Sequence, residues 1–224
     1  PYYGLTAKGN GLILTWQDKK SGSLRSFDRA RIKEIQDRIT GEPGKVVYVK
    51  KTPKKTPAPL LYDLTELQRE ANRRFGFSAK ETLNIMQRLY EHHKVLTYPR
   101  TDSRYLSRDI LPTIKDRLEA CAVGPYRKLA GALTRRPLPE HPAFVNDGKV
   151  SDHHAIIPTE QFVQLDHMTN EERKIYDLVV RRFLAVLYPP FVYEQTKAEV
   201  EIKGERFLAS GKTVKEAGWK AVYE

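Results

Sequence analysis

Ser78-Ala79-Lys80-Glu81-Thr82-Leu83-Asn84-Ile85-Met86-Gln87-Arg88-Leu89-Tyr90-Glu91 is the stretch that decides the fold. Ser78 and Glu81 have the spacing of a capping box, and Ala79, Leu83, Met86, Leu89 and Tyr90 recur behind them at helical intervals. The stretch therefore reads as an amphipathic helix with one apolar face. Just upstream, Asp63 and Glu66 repeat the capping spacing, and Gly76 is placed to end the helix they open. Downstream, a third helix is expected within Arg108 to Ala120, restarting at Pro112. Thr169 and Glu172 begin another, with Ile175, Tyr176, Val179, Phe183 and Leu187 on one face, and Tyr188-Pro189-Pro190 stops it.

Both flanks of this helical middle read as β. Gly11-Leu12-Ile13-Leu14-Thr15-Trp16 is a short apolar run bounded by turn formers, and Lys45-Val46-Val47-Tyr48-Val49-Lys50 is a second. Between them, Asp28 to Arg38 is a polar stretch compatible with a helix. Lys50 to Pro59 carries three prolines among lysines and reads as an extended basic connector. Near the end, Ala198, Val200 and Ile202 alternate with Lys197, Glu199 and Glu201, the pattern of a half-buried strand. Arg206 to Val214 and Gly218 to Tyr223 read as two more strands. The order β, then α, then β implies an α+β fold in which a helical domain is inserted into a β-rich one.

Composition narrows the class. Apolar residues make up 40% of the 224, enough for a packed core, and Lys plus Arg exceed Asp plus Glu by 39 to 28, a net charge of +11. Such an excess favours a polyanionic partner, because neutralising phosphates releases counterions. A lone cysteine, Cys121, forms no internal disulfide and fits a reducing compartment. No apolar run approaches the roughly 18 residues of a membrane span, so no membrane partner is expected. The start, Pro1-Tyr2-Tyr3-Gly4, and the strand-like end are expected to be interior points of a longer chain.

Directly after the deciding helix comes Thr97-Tyr98-Pro99-Arg100-Thr101-Asp102-Ser103. A Tyr beside a Pro is ordinarily a packed turn. Here the neighbours offer more: a phenol attacking a phosphodiester needs positive charge around the phosphorus, and Arg100 supplies a planar fork two residues on. In an extended segment the two side chains share a face. Thr101 and Ser103 add hydroxyls.

Tyr98 to Ser103 resembles the active-site motif of the type IA DNA topoisomerases. Leu67-Gln68 with Ala71, Phe75 to Ala79, and Gln87-Arg88-Leu89-Tyr90-Glu91 are similar to that family's approach to its tyrosine. His153-His154-Ala155-Ile156-Ile157-Pro158-Thr159 resembles a second family motif, with His153 rather than His154 at the family's histidine. Glu171 to Tyr176, Arg181 to Leu184, and Phe207 to Gly211 with Gly218-Trp219 extend the likeness over nearly the whole chain. Pro99 and the paired histidines look most like the topoisomerase III branch.

The resemblance implies that Tyr98 attacks single-stranded DNA to give a 5′-phosphotyrosine link, that Arg100 stabilises the transition state and that His153 contacts the scissile region. It implies DNA contacts from Thr101, Asp102, Ser103, His154, Arg88 and Gln87. It implies a toroidal enzyme in which residues 1–60 and 190–224 form a β-rich arch and residues 61–189 a helical, helix-turn-helix-like domain carrying the tyrosine. It implies Mg2+ held by an upstream Toprim domain, whose paired acidic residues are not found here, and no ATP. Partners are then single-stranded DNA and the remaining domains of the same chain, and the location cytoplasmic, with the bacterial nucleoid.

Two other patterns carry less. Ala209-Ser210-Gly211-Lys212-Thr213 looks like the end of a phosphate-binding loop, but the glycine required five residues before Gly211 is Arg206. The His92-His93 and His153-His154 pairs lack the form of a metal site, since adjacent side chains on one element rarely converge. A non-catalytic single-stranded DNA-binding module fits charge and helices equally well; the intact Tyr–Arg pair argues against it.

Overall fold

The computed structural model describes residues 1–9 and 12–224, so Gly11, expected to open the first strand, lies outside the described residues. The chain packs as two units, Pro1–Lys55 with Val192–Glu216, and Thr56–Phe191 with Ala217–Glu224.

The first unit holds strands β1 (Thr6–Gly9), β2 (Leu12–Gln17), β3 (Lys45–Thr56), β4 (Phe191–Ile202) and β5 (Glu205–Glu216), and helix α1 (Arg29–Ile39). The sheet order is β1-β2-β5-β4-β3, with β1–β2, β2–β5 and β4–β5 antiparallel. Period-two alternation in β2 turns Leu14 and Trp16 inward, and helical spacing in α1 turns Ile32, Ile35 and Ile39 to meet them with Val200, Ile202 and Phe207. The buried Trp16 indole donates to Glu205 Oε2 at 3.0 Å, and Arg38 holds Oε1 of the same carboxylate at 2.7 Å. Asp28 caps α1 by accepting from the Arg31 N–H. Lys203 and Gly204, with φ of 49° and 79°, make the two-residue turn that sets the β4–β5 register, pairing Ile202 with Glu205.

One expectation changes here, and another holds. Lys50 to Thr56 is not a connector: β3 runs through it, Pro53 included. The reason lies in the sheet order, which puts β3 at an edge, where a residue lacking an N–H is tolerated. Ala209 to Thr213 sits inside β5, with Gly211 opposite Thr196 and Lys212 opposite Gln195.

The second unit contains α2 (Leu64–Phe75), α3 (Ala79–Glu91), α4 (Ile114–Cys121), α5 (Arg127–Thr134) and α6 (Asn170–Leu187). Asp63, Ser78 and Thr169 are the N-caps of α2, α3 and α6, each accepting from the N–H three residues on, and Gly76 ends α2 with φ 72°. The core gathers Leu67 and Ala71, Ile85, Met86 and Leu89, and Ile175, Tyr176, Val179 and Phe183. The helix expected over Arg108 to Ala120 is broken: Arg108–Thr113 is a 3-10 turn and α4 starts at Ile114. Pro112 has no N–H to donate, which favours this break. Helix α5, which has Gly131 at its centre, was not foreseen.

Gly218–Tyr223 is a correction of kind. It is a 3-10 turn in the helical unit, not a strand. Gly218 has φ 55°, and a Cβ there would lie 2.2 Å from the Pro190 carbonyl oxygen. The turn is held by Trp219, whose indole donates to the Thr56 carbonyl at 2.8 Å, and by Arg181, which donates to the Val222 carbonyl. Alternating apolar residues suit a strand, but the left-handed glycine and the buried Val222 select the turn.

Glu172 joins two of these helices. It completes the α6 capping box by accepting from the Thr169 N–H at 2.9 Å, and it faces Arg88 Nε at 3.4 Å and His93 Nε2 at 3.2 Å, both from the end of α3. Burial alone would raise its pKa; the Thr169 N–H, His93 and Arg88 together outweigh that and hold the carboxyl below the usual glutamate range. Glu172→Ala is expected to cost about 2 kcal/mol, since a cap is lost and polar partners are left unpaired. A depressed folded pKa makes this contribution present above the unfolded value of about 4.3 and lost as pH falls through the folded one. Urea unfolding at neutral and acid pH checks both: Glu172→Gln should show a smaller loss of stability in acid than the parent.

Candidate active site

The site is assembled by a short irregular sheet at the end of α3. The helix closes at His92, and Lys94 turns the chain with φ 59°, an uncommon conformation for a side-chain-bearing residue. Val95, Leu96 and Thr97 then run extended beside Ile157 to Thr159. Thr97 N–H donates to the Ile157 carbonyl at 3.0 Å, Ile157 N–H to Thr97 Oγ1 at 2.9 Å, and Thr159 N–H to the Val95 carbonyl at 3.0 Å. On the other side Ile156 N–H donates to the Tyr62 carbonyl and Ala155 N–H to that of Tyr105, each at 2.9 Å. Ala155, Ile156 and Ile157 are fully buried, which fixes this part of the second motif between the Val95–Thr97 segment and the carbonyls of Tyr62 and Tyr105.

The result is an aromatic stack. The rings of Tyr98 and His153 lie 4.2 Å apart at 28°, and Tyr90 meets Tyr98 edge-on at 5.5 Å and 83°. Tyr98 is half-buried and His153 exposed. Both line a cleft of about 660 Å³ with Tyr90, Glu91, Lys94, Thr97 and Thr159. The tyrosine and histidine singled out from motifs far apart in sequence are thus in direct contact.

Arg100 is placed differently from the simple extended picture. Thr101 N–H donates to the Pro99 carbonyl at 3.0 Å, so the chain bends tightly around Arg100 instead of continuing straight. Pro99 is buried and Arg100 exposed, with no hydrogen bond or ion pair among the described residues. Its guanidinium is therefore available at the surface of the motif.

Thr101 and Ser103 are buried, at 7% and 4% exposure, and their hydroxyls serve the protein itself. Thr101 Oγ1 donates to the His153 carbonyl at 3.3 Å and accepts from Ser103 N–H; Ser103 Oγ donates to the Lys149 carbonyl at 2.7 Å. Asp102 between them is exposed. His154 turns inward: its Nδ1 donates to the Ala155 carbonyl at 2.6 Å, and burial lowers its pKa, favouring the neutral ring. Gln87 is half-buried, three residues before Tyr90 and so on the same side of α3. Arg88 points to Glu172 instead.

Tyr90, Glu91 and Lys94 were not singled out from the sequence as site residues. In the sequence Tyr90 reads as part of the apolar face of α3; the signal for a site is a hydroxylated ring closing that face eight residues before Tyr98. Among the described residues no group of three or more His, Cys, Asp or Glu is placed to hold a metal ion. Among the described residues no helix is long and apolar enough to cross a membrane.

The site is thus a tyrosine stacked on a histidine in a cleft, within a mixed helical and antiparallel fold on a basic chain. The family model described as DNA topoisomerase matches residues 1–224, and the chain belongs to that family, as a type IA member most like topoisomerase III. The DNA topoisomerase 3 of Bacillus licheniformis and that of Bacillus subtilis are each 56% identical to it over 224 residues, all of this chain and 31% of theirs. The chain thus spans about a third of the length of the curated relatives it matches. A full-length topoisomerase I structure from Thermotoga maritima superposes with a TM-score of 0.71 at 24% identity, over 98% of this chain and 35% of that one. This last likeness bears on fold alone.

Proposed function

We propose that this chain carries the DNA-cleaving tyrosine of a type IA topoisomerase and works as part of a longer polypeptide. The stacked pair Tyr98–His153 is the observation that carries the reading. Tyr98 Oη attacks a phosphorus of single-stranded DNA, forming a phenolic O–P bond. The bond from that phosphorus to the 3′ oxygen breaks, and the phenolic proton is passed on so that the 3′ end leaves as a hydroxyl. Religation is the reverse, with the 3′-hydroxyl attacking the phosphotyrosine. The number and kind of ester bonds are unchanged, so ATP is not consumed.

Arg100 is assigned to the transition-state charge, because it is free of protein partners and one turn from the nucleophile. His153 holds the plane of the Tyr98 ring and offers an exposed imidazole at the reacting side. Thr101 and Ser103 position the loop through their buried hydrogen bonds. Asp102, Gln87, Arg88 and His154 are assigned to the DNA-facing surroundings. Residues 1–60 and 190–224 are assigned to an arch and 61–189 to the tyrosine domain; the separate packing of a sheet unit and a helical unit supports a division of this kind, with residues 56–60, 190–191 and 217–224 packing in the helical unit. Mg2+ is assigned to a Toprim domain elsewhere in the polypeptide, and the location to the bacterial cytoplasm beside the nucleoid.

The complete enzyme is expected to change DNA topology without added nucleotide; a strict ATP requirement contradicts the mechanism. In single-turnover cleavage, His153→Ala is expected to slow the step about 100-fold with binding affinity nearly unchanged. A wild-type cleavage rate removes the histidine from the reaction.

A further inference from the structure

Val95, on the segment that leads to Tyr98, lines a second, smaller cleft of about 280 Å³, just below the lower bound of roughly 300 Å³ for ligand pockets. We infer that it is a nucleobase-binding subsite for the cleaved strand, with Phe162 as its stacking platform and Gln161 and Gln164 as its edge-reading groups. This rests on the reading of Tyr98 given above.

Phe162 is 64% exposed. A lone exposed phenylalanine is unremarkable; this one lines a polar cleft. Its neighbours there are Gln161, Gln164, His92, His93 and His167, and no carboxylate lines the cleft. Among the described residues the Gln161 and Gln164 carboxamides and the His92 and His167 rings have no hydrogen-bond partner. A carboxamide presents a donor and an acceptor side by side, the pattern a base edge matches. Exposed ring faces stack bases of any sequence, and neutral or cationic imidazoles do not repel phosphate.

The walls are pre-formed. Val163 and Met168, at 3% and 7% exposure, anchor the segment that bears Phe162. His93 is fixed by Glu172 at 3.2 Å, and its ring meets that of His92 edge-on at 4.9 Å. The three imidazoles form no metal-binding group among the described residues.

Position ties the cleft to the reaction. Val95 lines this cleft, whereas Leu96, Thr97 and Tyr98 line the other; Thr159 lines the other, and Gln161 N–H donates to its hydroxyl at 3.2 Å. Three extended residues from Val95 to Tyr98 span about 10 Å. A stacked strand rises about 3.4 Å per nucleotide and an extended single strand rises more, so the bound base lies within about three nucleotides of the cut.

The test uses the complete enzyme and single-stranded oligonucleotides carrying 2-aminopurine at successive positions from the cleavage point. One position should be strongly quenched on binding, and Phe162→Ala should abolish that quench and weaken binding about tenfold. The Tyr98 adduct formed at saturating DNA should stay within about threefold of the parent. Gln161→Ala with Gln164→Ala should relax the base preference at the quenched position. Affinity and quenching unchanged in Phe162→Ala, with adduct intact, overturn the subsite. So does a fall in Tm with DNA binding untouched, which assigns Phe162 to packing against protein. A parent enzyme that forms no Tyr98-dependent adduct brings down the functional reading itself, and the subsite with it.

Discussion

Tyr98→Phe is expected to abolish covalent joining to DNA while leaving single-strand binding within about twofold. The substitution removes one oxygen and keeps the ring. The stack on His153 at 4.2 Å and the edge contact with Tyr90 are ring contacts, so both survive. Tyr98 Oη has no protein partner among the described residues, so its removal leaves no buried polar group unpaired. Folding should therefore be unaffected, and thermal unfolding within about 1 °C of the parent checks this. Loss of the adduct in a correctly folded, DNA-binding protein isolates the missing nucleophile as the cause. An undiminished adduct sinks the assignment of Tyr98.

Arg100→Ala is the second large effect. The exposed guanidinium makes no ion pair or hydrogen bond among the described residues, so removing it should cost the fold little. In cleavage it is assigned to charge that develops on the phosphorane oxygens, and loss of one such donor is worth about 100- to 1,000-fold in rate. Ground-state affinity should fall less than about tenfold, the scale of a single phosphate contact. Arg100→Lys should recover only part of the rate, because an ammonium keeps the charge but not the planar fork. Rapid-quench measurement of cleavage at saturating DNA separates the two terms. A variant that loses affinity alone shows Arg100 to be a binding residue.

Much of this was legible in the sequence where local chemistry is decisive. Asp63, Ser78 and Thr169 announce their helices because an N-cap is a property of four consecutive residues. Tyr98 and His153 were legible through motif resemblance, and their contact needs the buried Ala155-Ile156-Ile157 segment, which no local pattern reveals. Where the reading failed, long-range structure outweighed the local signal. Lys50 to Thr56 looks like a linker until its place at the sheet edge is known. Gly218 to Tyr223 alternates like a strand, yet packs as a turn against the carbonyls of Pro189 and Pro190. Arg100 was expected within an extended segment, and a single hydrogen bond from the Thr101 N–H to the Pro99 carbonyl bends the chain around it. Tyr90 is not legible as a site residue because a ring on the apolar face of a helix reads as core.

The central claim is that Tyr98 becomes covalently attached to the 5′ end of a cut single strand. The direct measurement joins this chain to its natural flanking sequence, offers a 3′-labelled single-stranded oligonucleotide with Mg2+, and denatures the mixture quickly. Label migrating with the protein, absent in Tyr98→Phe, is the predicted result. Intact single-strand binding with no labelled protein would contradict it and leave a DNA-binding module in its place.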